Sequence, residues 1–426
     1  MTTKTNNEHK KVYVPNSTDK GNVIRNVPHL RFPEFEGEWE KQKLCDISSI
    51  VGRIGFRGYT TNDIVEKGMG AIALSPTNIV NNQLTYDKEN TYISMSKYEE
   101  SPEIMIKRGD VIFVKTGSTV GKVAYVDKMI CKTTLNPQVV VLKDIKCDNY
   151  ILSVIMSTRK FQNKIQRITV GGAVPTLSQM AMGNIFISLP AAKEQEKISK
   201  FISLLDERIA TQSKIIEDLK NLKSAIIEKV FNSKHSEKLQ LNDVGSYIRG
   251  LTYSSNDVVE HDGTLVMRSN NIINGSLLDY NNNVVFVNKQ MSAEQQLQNG
   301  DVVICMANGS SSLVGKSSFY DGSYHSPITV GAFCGIYRSK EPIVKWLFQT
   351  NKYRRYIWNS LQGGNGAIAN LNGEEILNMS FSIPNATIKD TCVKMLTSVD
   401  SALENNMSLC ALYTLQKQHL LRQMFI

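Results

Sequence analysis

The chain has 426 residues, enough for two or three domains, and its 41% hydrophobic and 21% charged residues are usual for a folded globular protein. This composition excludes collagen-like, low-complexity and generally disordered chains. The net charge of +9 is compatible with nucleic-acid binding but also common in other proteins. No apolar run reaches the roughly 18 residues that cross a bilayer, and the cysteines are never spaced as Cys-x-x-Cys. We therefore expect a cytoplasmic protein with no membrane segment and no metal site.

In chain order, the sequence predicts a polar tail, a strand-rich body, a long helix, a second strand-rich body and a second long helix. Each body consists of short β-branched and aromatic runs broken by Gly, Asn and Ser, and each ends at a proline. The predicted boundaries are 1–30 for the tail, 31–190 and 237–385 for the bodies, and 191–236 and 386–426 for the helices. The predicted fold class is α+β, with two β-rich mixed domains.

The second body and helix repeat the first. Asn184–Pro190 matches Asn378–Pro384 at an offset of 194 residues, and Lys107–Ile112 matches Gln298–Val303 around a shared Gly-Asp-Val. A repeat of this length is far longer than a solenoid period and indicates that whole domains were duplicated. We therefore expect two pseudo-symmetric domains in tandem.

Both predicted helices have apolar residues spaced by threes, fours and sevens, as in a coiled coil. Each amphipathic helix needs an apolar partner, and the other helix is the nearest candidate. We predict an antiparallel pair with the two bodies at opposite ends; the alternative is a helical hairpin that serves only as core. The residues predicted for the helix pair or for subunit contacts are Ile198, Phe201, Leu205, Ile209, Ile216, Leu219, Ile226, Leu396, Leu403, Met407 and Leu420.

Each body also carries a glycine-rich loop that ends in Gly-Lys, at Gly117–Lys122 and at Gly309–Lys316. Such loops can present backbone N–H groups and lysine to phosphates, while hydroxyl and amide side chains reach base edges. The alternative is a plain strand connection whose glycines satisfy turn geometry. The candidate DNA-binding residues, from these loops and from matched turns, are Arg53, Arg57, Ser75, Lys115, Thr116, Ser118, Thr119, Lys122, Arg249, Arg268, Asn270, Asn308, Ser310, Ser311 and Lys316.

Two further pairs of matched segments have a structural and a functional interpretation. Gly171–Leu177 and Gly363–Ile368 precede the last strand of each body and are either recognition loops or hinges. Two basic stretches, around Phe161 and around Tyr353, mix cations with aromatic residues. For these stretches we favour core aromatics with a solvated basic edge over contact with phosphates.

Recognisable catalytic motifs are missing from the sequence. Gly309 and Gly315 are separated by five residues where a nucleotide-binding loop requires four, and the six histidines have no His-x-x-x-His spacing. Asn136-Pro137-Gln138-Val139 lacks the second proline and the aromatic residue of an adenine methyltransferase. We therefore predict a non-catalytic DNA-binding protein. The alternatives are a standalone DNA-modifying enzyme and a duplicated adhesion or carbohydrate-binding protein.

Four features occur in a fixed order along the chain. They are Leu30–Phe35 with Trp39, the repeated Gly-Asp-Val, Gly171–Ser178, and Ile187–Pro190 followed by Glu194–Ile198 at the start of the first helix. With these features the chain resembles, over almost its whole length, the specificity subunit (HsdS) of type I restriction-modification systems. The second copy departs from the pattern, with Thr387–Asp390 where the first copy has Lys193–Glu196.

The resemblance implies two target recognition domains joined by two long antiparallel coiled-coil helices. Each domain would read one half of a split, asymmetric sequence in double-stranded DNA, and the helices would set the spacing. It further implies two modification subunits that methylate adenine with S-adenosylmethionine, and restriction subunits that use ATP and Mg²⁺. This chain itself would hold no cofactor and perform no catalysis.

Overall fold

The computed structural model describes residues 26–86, 89–232, 236–361 and 369–426. These residues form two compact units. Unit 1 is the described chain up to Ala210 together with Ala411–Ile426, and unit 2 is Thr211–Cys410. Two long helices each contribute one segment to each unit.

Unit 1 contains the elements of the first sequence copy. Its strands are β1 (Glu40–Lys43), β2 (Ser49–Gly52), β3 (Ile64–Val65), β4 (Ala71–Leu74), β5 (Ile79–Val80), β6 (Gln83–Leu84), β7 (Thr91–Ile93), β8 (Val111–Val114), β9 (Val123–Tyr125), β10 (Thr133–Leu135), β11 (Val139–Lys143) and β12 (Phe186–Leu189). Its helices are α1 (Leu44–Ile47), α2 (Met95–Glu99), α3 (Asn149–Ser157), α4 (Arg159–Ile168), α5 (Gln179–Gly183) and the first half of α6 (Ala192–Phe231).

Unit 2 contains the elements of the second copy. Its strands are β13 (Ser236–Gln240), β14 (Gly245–Arg249), β15 (Val258–Val259), β16 (Thr264–Met267), β17 (Val285–Val287), β18 (Val302–Cys305), β19 (Ala307–Asn308), β20 (Ser317–Phe319), β21 (Ile328–Val330), β22 (Cys334–Ser339), β23 (Ala369–Asn370) and β24 (Ser380–Pro384). Its helices are α7 (Leu241–Val244), α8 (Asn351–Leu361), α9 (Gly373–Leu377), the first part of α10 (Ala386–Met424) and the second half of α6.

The sheets of the two units have corresponding strand orders. In unit 1 the order is β2-β11-β8-β9-β6-β5 in one sheet and β10-β4-β7-β3 in another, and in unit 2 it is β14-β22-β18-β20 and β15-β17-β16-β21. In both units a parallel pair, β10 with β4 and β21 with β16, joins strands that are distant in sequence. The duplication seen in the sequence is therefore a duplication of architecture.

The central strands are apolar throughout because both of their faces are buried. Val111 and Phe113 of β8 pack into one core cluster, while Ile112 and Val114 pack into another. In unit 2, Val302 and Ile304 of β18 likewise face a different cluster from Val303. Successive side chains of a strand point to opposite faces, so a run of apolar residues fits a strand covered on both sides.

The repeated Gly-Asp-Val motif forms a tight turn that leads into β8 and β18. Asp110 accepts a hydrogen bond from Lys107 N at 2.8 Å, and Asp301 accepts one from Gln298 N at 2.7 Å. Asp301 also binds the Arg338 guanidinium through both of its carboxylate oxygens. The motif is thus explained by turn geometry and by pairing of a buried carboxylate.

The start of the described chain packs on unit 1. Asn26 is buried, its backbone O accepts from Trp39 N at 2.8 Å, and Leu30 N donates to Gln423 O at 2.9 Å. The prediction of a polar tail over 1–30 is therefore wrong for residues 26–30. In the Leu30–Phe35 motif, Arg31 donates two hydrogen bonds to Glu194, the buried carboxylate in the first turn of α6.

The two long helices run antiparallel within each unit. In unit 1, Asp206 pairs with Lys417 and Arg208 with Tyr413; in unit 2, Gln212 contacts Asn406 and Lys223 pairs with Asp400. The residue numbers of the contacting partners on α10 decrease as those on α6 increase, as antiparallel helices require. The first helix ends at Phe231 rather than at 236 as predicted. Among the described residues, no helix is long and apolar enough to cross a membrane.

Most of the predicted seam residues are enclosed. Ile198, Leu396 and Leu403 are buried, whereas Met407 is 37% exposed, and its place in the helix pair or at a subunit contact stays a prediction. The other predicted seam residues are partly buried: Phe201, Leu205, Ile209, Ile216, Leu219, Ile226 and Leu420. The seam also holds polar residues that are buried or partly buried, which the apolar periodicity did not indicate.

Those polar residues form two related clusters at an offset of 194 residues. In unit 1, Asp206 binds Lys417 and accepts from Tyr150 Oη at 2.6 Å. In unit 2, the equivalent Asp400 binds Lys223 at 2.6 Å and accepts from Trp346 Nε1 at 2.9 Å. Each cluster ties both helices to an aromatic residue of the neighbouring domain. A buried carboxylate needs such partners, so each cluster favours one helix register.

Candidate nucleic-acid interface

Three segments predicted to contact DNA meet at one short stretch of unit 1. Arg53 Nε donates to Leu135 O at 2.9 Å, and Asn136 N donates to Leu74 O, beside Ser75, at 2.8 Å. Lys115 N, at the start of the glycine-rich loop, donates to Gln138 O at 2.9 Å. We call residues 136–138, which connect β10 to β11, the central segment of unit 1.

Unit 2 builds the same junction around residues 331–333, the central segment of unit 2. Leu251 N donates to Val330 O at 2.7 Å, and Gly331 N donates to Met267 O at 2.9 Å. Met306 N, three residues before the glycine-rich loop, donates to Phe333 O at 2.9 Å. The segment after the first strand of the main sheet, which we call the arginine loop (Arg53–Arg57 in unit 1, Arg249–Leu251 in unit 2), therefore lies beside the central segment in both units, together with the turn after the parallel strand and the start of the glycine-rich loop.

A fourth predicted segment joins the junction from the C-terminal side of each domain. Leu177 N donates to Lys115 O at 2.8 Å, and the equivalent Leu371 N donates to Met306 O at 2.8 Å. Gly171–Leu177 thus lies against the glycine-rich loop, which supports its interpretation as part of the same surface. Its predicted counterpart Gly363–Ile368 lies outside the described residues, immediately before β23.

Arg53 is buried, which contradicts the prediction that it contacts DNA. Only 5% of Arg53 is exposed, and its guanidinium also donates to Thr134 Oγ1 at 3.1 Å and to Arg57 O at 3.2 Å. Burial lowers the pKa of Arg53. Its hydrogen bonds instead hold the arginine loop on β10. Arg57 is partly buried and lies 3.6 Å from Glu103 Oε1.

Ser75 and Arg268 begin equivalent one-turn 3-10 helices. Ser75 N donates to Asn78 Oδ1 at 2.9 Å, and Arg268 N donates to Asn271 Oδ1 at 3.0 Å. The backbone is therefore the same, while the side chain at this position differs. The Arg268 guanidinium reaches Asn283 O at 2.9 Å, and its Nε is buried with no hydrogen-bond partner among the described residues.

The glycine-rich loop of unit 2 is connected directly to this turn. Asn308 Nδ2 donates to Ser269 Oγ at 3.2 Å, and Asn308 Oδ1 accepts from Ser310 N at 3.0 Å. The remaining predicted residues divide by exposure. Ser118, Arg249, Asn270, Ser310 and Ser311 are exposed, and Lys115, Thr116, Thr119 and Lys316 are partly buried.

The Gly-Lys end of each loop has a structural role. Lys122 Nζ donates to Ile79 O at 3.1 Å. Gly121 and Gly315 have φ of +101° and +81°, and each packs against the helix that follows the sheet. A Cβ at Gly315 would lie 2.7 Å from Ile357 Cγ1, and a Cβ at Gly121 would overlap Gln162. These two glycines therefore fit the turn interpretation, whereas the earlier part of the loop is exposed in unit 2 and mostly partly buried in unit 1.

We expect Gly315→Ala to lower the free energy of unfolding by about 2–4 kcal/mol, since it combines a positive φ with overpacking. Gly309→Ala is the matched control in the same loop, because a Cβ there has nothing within 4 Å and its φ is not positive. Denaturant unfolding of the full chain measures both. Equal stability of the two variants would contradict this role of Gly315.

The basic helical stretches have buried aromatic residues and exposed cations. Phe161 of α4 and Tyr353 of α8 are each 2% exposed, and the Tyr353 hydroxyl donates to Gly315 O at 2.9 Å. Lys160 and Lys164 of α4 are exposed and contact backbone carbonyls. These positions agree with the favoured interpretation of core aromatics with a solvated basic edge.

Comparison with known proteins gives a consistent family. Residues 36–221 match the family model described as type I restriction modification DNA specificity domain. The chain is 34% identical over 158 residues to the type I restriction enzyme EcoKI specificity subunit of Escherichia coli (strain K12). It is 33% identical over 156 residues to the StySPI specificity subunit of Salmonella potsdam. Each alignment covers 35% of this chain and 31% of the relative, so the chain spans about a third of these relatives' length.

The fold is also that of a solved structure, the type I restriction-modification system S subunit from M. genitalium. The two chains superpose with a TM-score of 0.60 at 13% identity, covering 94% of this chain and 99% of the other. The matched family model places residues 36–221 in the class of type I restriction modification DNA specificity domains. The curated relatives that match this part of the chain are specificity subunits of type I restriction enzymes, and the matches support a specificity subunit of this kind. The predicted family and fold class are thereby confirmed.

Proposed function

We propose that this specificity subunit reads a split, asymmetric sequence in double-stranded DNA, with unit 1 reading one half and unit 2 the other. One observation carries the proposal. Matching backbone hydrogen bonds place the turn after the parallel strand and the start of the glycine-rich loop against the central segment of each unit, while the exposed side chains differ. Equivalent backbones with unlike side chains suit two readers of different sequences. The antiparallel helices would set the spacing between the two half-sites.

We further propose that the chain is a non-catalytic member of a cytoplasmic complex. Two modification subunits would methylate adenine with S-adenosylmethionine, and restriction subunits would use ATP and Mg²⁺. Exposed apolar side chains on the long helices favour such docking in unit 2. Ile215 and Leu222 of α6 are 40% and 49% exposed, and Leu409, the equivalent of Ile215 on α10, is 41% exposed. Exposed apolar patches often mark protein contacts.

Mapping of adenine methylation in the host genome, with and without this gene, tests the recognition role. We expect one split, asymmetric methylated motif to disappear when the gene is removed and to return on complementation. An unchanged methylome, together with no sequence preference in DNA binding by the purified complex, would overturn the proposal.

Exchange of residues 31–190 for the equivalent domain of a relative with a known target is expected to change one half of the methylated motif only. The reason is that the loops around each central segment come from a single domain. Sequencing of methylated adenines reads both halves at once. A simultaneous change in both halves would contradict independent recognition by the two units.

Leu222→Asp is expected to weaken co-purification with the modification subunits at least tenfold while leaving the unfolding midpoint unchanged, because an exposed apolar contact is replaced by a charge. Ser224→Asp is the matched control, since Ser224 is an exposed polar residue two positions further along α6. Equal co-purification of the two variants would argue against docking at this face.

A further inference from the structure

Gln138 and Phe333 occupy the same position in the two units, although the sequence repeat does not align glutamine with phenylalanine. Each carbonyl accepts the hydrogen bond that comes from Lys115 N or Met306 N, at 2.9 Å. The following residues, Val139 and Cys334, begin equivalent strands and pair with the last residues of β8 and β18. The backbone therefore defines an equivalence that sequence comparison did not reveal.

The backbone at both positions is fixed, whereas the side chains are exposed. Phe333 O also accepts from Ala307 N at 3.1 Å, and Cys334 N closes a turn on Gly331 O at 2.8 Å. Phe333 is nevertheless 66% exposed. Burial is what makes a phenylalanine side chain stabilise a fold, so an outward ring on a rigid turn contributes little to folding and is free to contact a ligand.

Gln138 is held in the same way. Its N donates to Asn136 Oδ1 at 2.9 Å, and Val139 N donates to Asn136 O at 3.0 Å. Its side chain is exposed, with Nε2 beside Gly117, where an added Cβ would lie 3.5 Å away. A preorganised backbone that carries an exposed side chain at the meeting point of several loops is suited to reading a base edge.

We propose that Gln138 and Phe333 are specificity-determining residues, one for each half of the DNA target. This inference rests on the proposed function. An exposed glutamine amide can donate to and accept from adenine, and a phenyl ring makes apolar contact with the 5-methyl group of thymine. The two side chains therefore assign different base preferences to otherwise equivalent positions. Different base preferences at equivalent positions would make the target asymmetric.

The experiment compares methylomes of a host deleted for the gene and complemented with wild type, Phe333→Ala, Phe333→Gln or Gln138→Ala. Phe333→Ala is expected to relax one position in one half-site, with discrimination there falling roughly 5- to 150-fold. Phe333→Gln should prefer a different base at that position, and Gln138→Ala should relax a position in the other half. Trp358→Ala is the control, since Trp358 is an aromatic residue of unit 2 with similar exposure, 63%, that lies on α8.

The outcomes separate this inference from the proposed function. If wild type restores a split motif and all three variants methylate that motif unchanged, the specificity roles of Gln138 and Phe333 are overturned while the recognition function stands. If Trp358→Ala relaxes the same position as Phe333→Ala, the effect is general and the inference also falls. If wild type restores no split motif, the proposed function fails and this inference falls with it. Thermal unfolding of each purified variant within about a degree of wild type establishes that the side chain alone was changed.

Discussion

Asp400→Leu is expected to lower the free energy of unfolding by about 3–5 kcal/mol, because it leaves the buried ammonium of Lys223 without its carboxylate. The side chains of Lys223 and Asp400 are 7% and 8% exposed, and Asp400 also accepts from Trp346 Nε1. Burial lowers the pKa of Lys223, and Asp400 opposes this effect. Denaturant unfolding of the full chain at neutral pH measures the loss.

Two further variants test the cause. Lys223→Met combined with Asp400→Leu removes both charges and is expected to cost less than Asp400→Leu alone. Asp206→Leu alters the equivalent cluster in unit 1, where Asp206 and Lys417 are 22% and 24% exposed, so its cost should be smaller. A loss below about 1 kcal/mol for Asp400→Leu, or no gain in the double variant, would contradict a role for this ion pair.

The free energy of unfolding of Asp400→Leu should depend on pH in a defined direction. Without Asp400, the folded-state pKa of Lys223 falls further below its ordinary value of 10.5, so the unfolded state binds more protons. Stability then rises with pH up to about 10.5. The deficit of Asp400→Leu relative to wild type is therefore expected to shrink as the pH increases through the alkaline range.

Ile202→Asp is expected to lower the free energy of unfolding by at least about 4 kcal/mol. Because a domain is usually stable by only about 5–15 kcal/mol, this loss is a large fraction of the stability of unit 1. Ile202 of α6 is fully buried in the core cluster of unit 1, where a carboxylate would find no water. Soluble yield and denaturant unfolding of the full chain measure the effect. Leu204→Asp is the matched control, because Leu204 lies two residues further along the same helix and is 54% exposed. Equal behaviour of the two variants would contradict this assignment of the buried face of α6.

Much of the candidate interface was predictable from the repeat, but its centre was not. The glycine-rich loops and the turns at Ser75 and Arg268 were identified because they occur twice at matched positions. The central segments were not among the predicted contacts: Asn136-Pro137-Gln138 was considered only as an incomplete methyltransferase motif, and Phe333 lies in a Gly-Ala-Phe stretch between two apolar strands. A large aromatic residue among small residues in a short connection was the available signal. Its exposure depends on strand pairing that the local pattern does not contain.

The sequence by itself determined the duplication, the order of bodies and helices, most of the apolar seam and the family. These features depend on periodicity, turn residues and motif order, which are local properties of the chain. Only the tertiary structure decided that Arg53 is buried against β10, that Asp206 and Asp400 anchor the helix pair, and that Gln138 and Phe333 are equivalent. Each of these depends on hydrogen bonds or ion pairs between residues separated in sequence. Such contacts form only when folding brings distant strands and helices together, so no local pattern of residues specifies them.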